Sequence, residues 1–368
     1  MRIVLTGGAS GGHLTPLAVV ARKIKEKRPD ADFVFIGPSG KLEDEIIGKE
    51  NIAMRSIMVG KMRRYFSFQN IVDFFKVPIG FIQSLIYLYV YMPDAVFSKG
   101  GHASFPVVVA AWLYRIPVFI HESDARPGVA NSMLGKFADR IAITYPESEK
   151  YFFSSKTVLI GTPVRDDINK GNAAAAREKY NLLESKKTIF VWGGSQGARN
   201  INNKILNILP DLMHRYQVIH QTGIGNFEEV KQKAGELGYK AGYGGYIALP
   251  FIGEDLKDIF AVSDLIISRA GSTSISEIAA NGKPSIIIPL ETSANGHQRM
   301  NAYALAEVGA CVVLEEDNLG NHLLLKNIDD LLENDEIRNK ISKNIVSFYH
   351  PDAAEKIAEG ILGMIEEE

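Results

Sequence analysis

The sequence lacks most of what would mark a small secreted or membrane-spanning protein. It holds one cysteine, Cys311, in 368 residues. That excludes a disulfide framework and a cysteine-based metal cluster, and it suits a reducing cytoplasm. Long apolar runs are also missing. The opening "MRIVLTGG" is too short to read as a secretory signal; it reads as a strand entering a glycine turn. The most apolar segment, 60–93, is interrupted by Asp73, Lys76, Pro78 and Gln83. It falls short of the ~20 continuous apolar residues that span a bilayer. An excess of one charge is absent too, since 41 Lys and Arg face 43 Asp and Glu.

The small net charge hides an asymmetry. Residues 1–165 carry 21 Lys and Arg against 14 Asp and Glu, a net +7, and the remainder carries 20 against 29, a net −9. The first half therefore suits an anionic partner such as a membrane surface or a phosphorylated substrate. A nucleic-acid interface would need a denser basic face, so no nucleic-acid partner is expected.

What is present is a regular alternation. "RIVLTGG" (2–8), "DFVFIG" (32–37), "AVFSKGG" (95–101), "PVFIHE" (117–122) and "RIAITY" (140–145) are short β-rich runs with helical-length segments between most of them. The pattern restarts with "KTIFVWGGSQGA" (187–198), "QVIHQTG" (217–223), "YIALPFI" (246–252), "LIISRAG" (265–271), "PSIIIPL" (284–290) and "CVVLEED" (311–317). The length suits two domains. The expected fold is α/β, with two doubly wound Rossmann-like domains in series and a ligand cleft between them. The expected division is 1–162, 163–348 and a helical tail, 349–368, packing back on the first domain. The join falls near "LIGTPVRDD" (159–167), where Gly and Pro punctuate the chain.

Each half opens with a glycine turn. In "GGASGGH" the glycines are Gly7, Gly8, Gly11 and Gly12, and His13 follows at once. Glycine at a strand-to-helix turn lets backbone amides approach a ligand, and the helix start favours phosphate. Residues 7–12 miss the dinucleotide spacing G-x-G-x-x-G, which disfavours a dehydrogenase. His13 stands where a P-loop needs lysine. The second turn, "GGSQGA", offers Ser195 and Gln196 as donors. A third constellation, "SRAGSTSISE" (268–277), places Ser272, Thr273 and Ser274 at a helix start after Arg269 and Gly271. One hydroxyl there suits a helix cap. Three exceed that need and suit a diphosphate, while Glu277 one turn on suits a ribose diol. His297 and Gln298 follow in a polar stretch after the next strand.

Read together, these motifs resemble the MurG family of GT-B glycosyltransferases. The match takes in the glycine turn with His13, "GGHASFP" (100–106), "HESDARPGVAN" (121–131), "GTPVR" (161–165), "GGSQGA" (193–198), "SRAGSTSISE" and "HQRMNA" (297–302), in the family's order. The resemblance implies transfer of N-acetylglucosamine from UDP-GlcNAc to the 4-hydroxyl of the muramoyl sugar of undecaprenyl-diphosphate-linked lipid I, giving lipid II. For the second half it implies that Ser195 and Gln196 lie near the diphosphate or the sugar, and that Ser272, Thr273 and Ser274 meet the diphosphate, Arg165 the nucleotide, Ile252 the uracil, Glu277 the ribose, and His297 with Gln298 the GlcNAc hydroxyls. Arg269, and Ser10, Gly11, Gly12 and Asp124 of the first half, are assigned to UDP-GlcNAc as well. Gly7, Gly8, His102 and Ser104 are assigned to the acceptor. The family's usual H-E-Q-N is His121-Glu122-Ser123-Asp124 here, so a carboxylate replaces an amide.

Inverting transfer needs in-line attack, a base for the hydroxyl proton and stabilisation of the departing diphosphate. His13 is the leading candidate base, since imidazole titrates near neutrality. Its other reading is a donor to the acceptor diphosphate. Glu122 and Asp124 are rival bases. Helix starts near 195–199 and 272–276 can meet the diphosphate charge, and no Asp-x-Asp stands at a strand end, so no obligatory metal or other cofactor is expected. Lys61, Arg63, Arg64, Tyr65 and Phe66 open the apolar segment and suit a patch on anionic lipid, while 82–92 reads as a helix packed on the sheet. A peripheral protein on the cytoplasmic face of the cell membrane is expected, with cell-wall or division proteins as partners. UDP-GlcNAc 2-epimerisation, transfer to diacylglycerol and a non-catalytic sugar-nucleotide module are the competing readings. The acceptor-side motifs of the first half disfavour the first two. The retained His13, Glu122 and Glu277 disfavour the third.

Overall fold

A computed structural model of the chain describes residues 1–60, 68–194, 197–239 and 245–367. In chain order the first elements are β1 (Arg2–Thr6), α1 (Gly11–Lys27), β2 (Asp32–Gly37), α2 (Lys41–Ile46), β3 (Ala53–Ser56), α3 (Phe68–Tyr91), β4 (Ala95–Ser98), α4 (Ser104–Leu113), β5 (Val118–Glu122), α5 (Val129–Leu134), β6 (Arg140–Ile143) and β7 (Thr157–Leu159). There follow α6 (Ala173–Tyr180), β8 (Thr188–Trp192), α7 (Arg199–Arg215), β9 (Gln217–Gln221), α8 (Phe227–Glu236), β10 (Tyr246–Leu249), α9 (Leu256–Val262), β11 (Leu265–Ser268), α10 (Ser272–Ala280), β12 (Ser285–Ile287), α11 (His297–Glu307), β13 (Val312–Val313), α12 (Asn321–Glu333), α13 (Asp335–Ile345) and α14 (Ala353–Glu366). Two compact units result: 1–165 with 350–368, and 166–349.

The first unit is built on a seven-stranded parallel sheet of order β3-β2-β1-β4-β5-β6-β7. Its central strands are buried on both faces because helices cover both, which is why they read as unbroken apolar runs. One core layer packs α1 and α14 on the sheet through Leu14, Leu17, Ile24, Ile357 and Ile361. The other packs α3 and α4 through Leu88, Val107 and Val108. Strand order reverses at β1, which has β2 on one side and β4 on the other. The crevice of such a sheet opens at that point, beyond the carboxyl ends of the strands.

The second unit has a six-stranded parallel sheet of order β10-β9-β8-β11-β12-β13. Its reversal lies at β8, paired with β9 and β11. Ile201, Ile205 and Leu209 of α7 enter its core along one helical stripe. His220 of β9 is wholly buried between Tyr246 Oη and Asn202 Oδ1, at 2.9 Å from each. Burial pushes its imidazole down to about 3, so it serves as a neutral core residue.

Two strands go beyond the sequence reading, β3 and β7. Both are short edge strands with exposed residues, so neither carries an apolar run that period-two patterning can detect. The helix expected to lie packed on the sheet at 82–92 does so on one face only. Ser84 and Leu88 are buried, but Ile82, Ile86, Tyr89 and Val90 are 54–72% exposed. Gly80 permits the close approach on the inner side, because a Cβ there would collide with the Met58 carbonyl.

Candidate functional site

In the first unit the candidate residues gather at the carboxyl ends of β1, β4 and β5. Ser10 is the N-cap residue of α1, yet it makes no side-chain cap. Its hydroxyl lies 2.7 Å from His13 Nδ1 instead. The serine that would answer the first helix amides thus holds the imidazole. Gly8 lies beneath the ring, where an added Cβ would stand 3.0 Å from Nδ1. Gly101 has φ +88, and a Cβ there would come within 2.9 Å of the Gly8 backbone. The two glycines therefore let the β1 and β4 turns touch. Gly7, Gly11 and Gly12 belong to the same turn, and His102, half-buried, follows Gly101.

Two residues read as chemical groups make their hydrogen bonds within their own turns. Ser104, expected at the acceptor, is wholly buried, and its hydroxyl donates to the Gly100 carbonyl at 2.8 Å. It shapes the turn because it sits in the first turn of α4, above that carbonyl. Glu122, a rival base, is 3% exposed. Its carboxylate accepts from the amides of Asp124 (2.9 Å) and Gly128 (3.3 Å) and from Asn131 Nδ2 (3.1 Å). A base must reach the proton it takes, and this carboxylate is turned into its own loop. Burial, with Asp124 adding, raises its pKa to about 7.

The same loop holds groups that the sequence reading passed over. Lys99 is 2% exposed and donates to Ser123 Oγ at 2.8 Å. Burial lowers its pKa, while Glu122 and Asp124 act in the opposite sense. His121 is buried with Nε2 2.9 Å from the Gly161 carbonyl, so Nε2 carries the proton. Desolvation holds it neutral. No local signal in the sequence marks Lys99, because its burial depends on β4 lying beside β5.

In the second unit the candidates again flank the strand reversal. The turn after β8 has Gly194 and Gly197 at φ +75 and +74. Gln221 Nε2 pins it through the Gly194 carbonyl at 2.8 Å. Ser195 and Gln196 lie outside the described residues. The adjacent strand β11 leads to α10, whose N-cap is Gly271. The hydroxyl expected to cap this helix does not do so. Ser272, Thr273 and Ser274 occupy its first turn beyond an N-cap that has no side chain. Glu277 follows on α10, 5% exposed, and Ile252 is buried beyond β10.

Two further candidates are held by their own unit. Arg269 pairs with Glu316, both almost buried, and donates to the carbonyls of Ile288 and Pro289. It fastens the end of β12, so a ligand role is not what its contacts favour. Gln298 Oε1 accepts from the Leu290 amide at 2.9 Å. That places the amide group, with half-buried His297, at the start of α11 after β12. Arg165 is the last residue of the first unit. Among the described residues there is no group of three or more His, Cys, Asp or Glu arranged to hold a metal, and no helix long and apolar enough to cross a membrane. Lys61, Arg63, Arg64, Tyr65 and Phe66 lie outside the described residues.

Residues 3–143 match the glycosyltransferase family 28 N-terminal domain, and 188–357 match the glycosyltransferase family 28 C-terminal domain. The UDP-N-acetylglucosamine–N-acetylmuramyl-(pentapeptide) pyrophosphoryl-undecaprenol N-acetylglucosamine transferase of Clostridium perfringens is 41% identical over 336 residues, 91% of each chain. The crystal structure of Acinetobacter baumannii MurG superposes with a TM-score of 0.73 at 23% identity, covering 98% of this chain and 99% of that one. The UDP-GlcNAc 2-epimerase of Neisseria meningitidis, bound to UDP-GlcNAc, gives 0.70 at 14% identity, covering 99% and 100%. Fold likeness at those identities does not separate a transferase from an epimerase. Sequence identity across both halves does.

Proposed function

The chain belongs to glycosyltransferase family 28, and from that premise we propose its reaction: transfer of N-acetylglucosamine from UDP-GlcNAc to the 4-hydroxyl of undecaprenyl-diphosphate-linked MurNAc-pentapeptide, with inversion. The observation that carries it is the 41% identity to the clostridial transferase over 91% of the chain. The acceptor oxygen forms a bond to the anomeric carbon as the bond to the UDP oxygen breaks. The hydroxyl proton leaves to a base, and UDP carries away the electron pair. UDP-GlcNAc and the lipid-linked acceptor are the two substrates.

We assign the donor to the second unit. The starts of α7 and α10 follow the two strands that meet at the sheet reversal. Their N-cap residues, Ala198 and Gly271, have no side chain able to cap. A helix start presents backbone amides and the positive end of its dipole, which suits a departing diphosphate. Transfer then needs no metal ligand from the protein. Radiolabelled GlcNAc transfer to a lipid I analogue in detergent tests the reading. Transfer that survives EDTA supports it; no transfer with either EDTA or added Mg²⁺ overturns it.

Glu277 is assigned to the ribose diol. A carboxylate accepting hydroxyl hydrogens contributes about 1.5–3 kcal/mol, so Glu277→Gln weakens UDP-GlcNAc binding about tenfold or more. Calorimetric titration of the donor alone checks it. An unchanged affinity removes Glu277 from the site.

We place the protein at a membrane surface, because its acceptor carries an undecaprenyl chain. The support is the outer stripe of α3, Ile79, Ile82, Ile86, Tyr89 and Val90, beside exposed Trp112, Leu113 and Tyr114 at the end of α4. Scattered exposed apolar residues are ordinary, but a stripe at helical spacing is not. Burying one such side chain is worth about 1.5–3 kcal/mol, so Ile86→Asp reduces partition onto phosphatidylglycerol vesicles about tenfold. Transfer to a short-chain, water-soluble acceptor stays near wild type. Vesicle flotation and the soluble assay read the two effects separately.

A further inference from the structure

Lys99 occupies an unusual place. It directly follows β4, and its backbone amide donates to the Thr6 carbonyl at 2.9 Å, joining β4 to β1 at the sheet reversal. Gly100 and Gly101 follow it at φ +81 and +88. Its side chain runs inward, not to solvent, and a Cβ on Gly7 would lie 3.7 Å from its own Cβ. The ammonium ends 2.8 Å from Ser123 Oγ, within the field of both Glu122 and Asp124. A buried ammonium is costly unless carboxylates answer it, and a hydroxyl alone does not.

Beyond Ser123, the titratable groups that act on the ammonium belong to β5 and the loop after it: the carboxyl groups of Glu122 and Asp124, with the neutral imidazole of His121 nearby. Asn131 of α5 lies behind them, donating to Glu122 Oε2 and the His121 carbonyl. Glu122 is already committed to the loop by three N–H donors. Asp124, two residues on, is the additional carboxylate. Left alone it would repel a second carboxylate and any anionic substrate at this rim. Lys99 supplies the opposite charge from the neighbouring strand end.

We propose that Lys99 and Asp124 form a matched pair, in which Lys99 is a positioning residue that cancels the Asp124 charge and holds Ser123 and Asp124 beside the glycine turn, so that this rim accepts the diphosphate of the acceptor. The proposal rests on the acceptor reading above. Lys99 is too buried to touch substrate, and it acts through Ser123 and Asp124. The pair behaves as one unit: changing either member alone harms acceptor use more than changing both.

The test is a cycle of four proteins: wild type, Lys99→Met, Asp124→Asn and the double variant. Acceptor KM and kcat are measured with a lipid I analogue, UDP-GlcNAc affinity by calorimetry, and stability by urea unfolding. Lys99→Met lowers acceptor kcat/KM about thirtyfold, mainly through KM, with donor affinity within about twofold. Adding Asp124→Asn restores the value to within about fivefold of wild type. Losses that simply multiply, or a Lys99→Met variant within about twofold of wild type, overturn the proposal. A purely structural lysine would lower the urea midpoint without that recovery, and this outcome also overturns it. If wild type transfers nothing, the functional reading fails. The pair is then judged by urea midpoints alone: non-additive values support it, and additive values overturn it.

Discussion

His13→Ala lowers turnover about a thousandfold while UDP-GlcNAc affinity stays within about twofold, because a positioned general base contributes about 10²–10⁴ in rate. His13 meets the structural requirement for such a base: Ser10 Oγ at 2.7 Å fixes its ring. Gly8 closes the other side, leaving little room for a second orientation. The pH profile distinguishes its two readings. A base must be deprotonated to act, so wild-type kcat falls as pH drops through the imidazole pKa. In the alanine variant that acidic limb disappears. A residue that instead donates to the acceptor diphosphate acts when protonated, and its removal raises acceptor KM and leaves kcat largely intact. Stability is a built-in control. Without the imidazole, the Ser10 hydroxyl can turn back to the first amides of α1, and a cap is worth about 0.5–2 kcal/mol. The variant therefore unfolds at the wild-type urea midpoint or slightly above it. A large fall in midpoint together with lost activity would remove the mechanistic interpretation.

Gly101→Ala has the second-largest effect, and it arises from backbone. The residue sits at φ +88, a conformation that L side chains rarely adopt, and the new Cβ would press within 2.9 Å of Gly8 Cα and N. Neither atom is the end of a flexible side chain. The β1 turn must shift, and His13 shifts with it. Strained backbone of this kind costs about 1–3 kcal/mol, and a displacement near 1 Å at a reacting group costs about a hundredfold in rate. Transfer should therefore fall about a hundredfold, and the urea midpoint should fall measurably. Gly235→Ala is the control. It lies in α8, nothing stands within 4 Å of the new Cβ, and alanine in a helix interior gains about 0.5–1 kcal/mol over glycine. Equal behaviour of the two variants would show that the contact between the β1 and β4 turns carries no function.

Much of the proposed donor side is legible in sequence because its signals are local. A strand, a glycine turn and a helix start lie within thirteen residues at 187–199 and again at 265–277, and local order is what periodicity and turn chemistry report. Ser272, Thr273 and Ser274 are found that way. What they are not doing, capping α10, becomes visible only from the backbone, which places Gly271 at the cap. The acceptor side is less legible. Glu122 looks like a base in a motif, but its oxygens face amides six and nine residues on, at Gly128 and Asn131. Ser104 looks like a ligand contact, but a helix turn directs it to Gly100.

The sequence by itself determined the architecture. Alternating apolar strands and helical segments, buried on both faces, have few packings other than two doubly wound parallel sheets. It also located both glycine turns, for different reasons: the second needs positive φ at Gly194 and Gly197, while the first needs room, since a Cβ on Gly7 or Gly8 would stand 3.0 Å from Leu17 or the His13 ring. Tertiary structure decided what those turns meet. Strand order puts β4 beside β1, although 88 residues lie between Thr6 and Ala95. Only that adjacency sets Gly101 on Gly8 and Lys99 beneath the rim, facing Ser123 from another strand. A lysine after a strand reads as solvent-exposed in any linear pattern. Its burial behind Ser123, within the field of Glu122 and Asp124, depends on which strands are neighbours, because charge compensation acts through space and not along the chain.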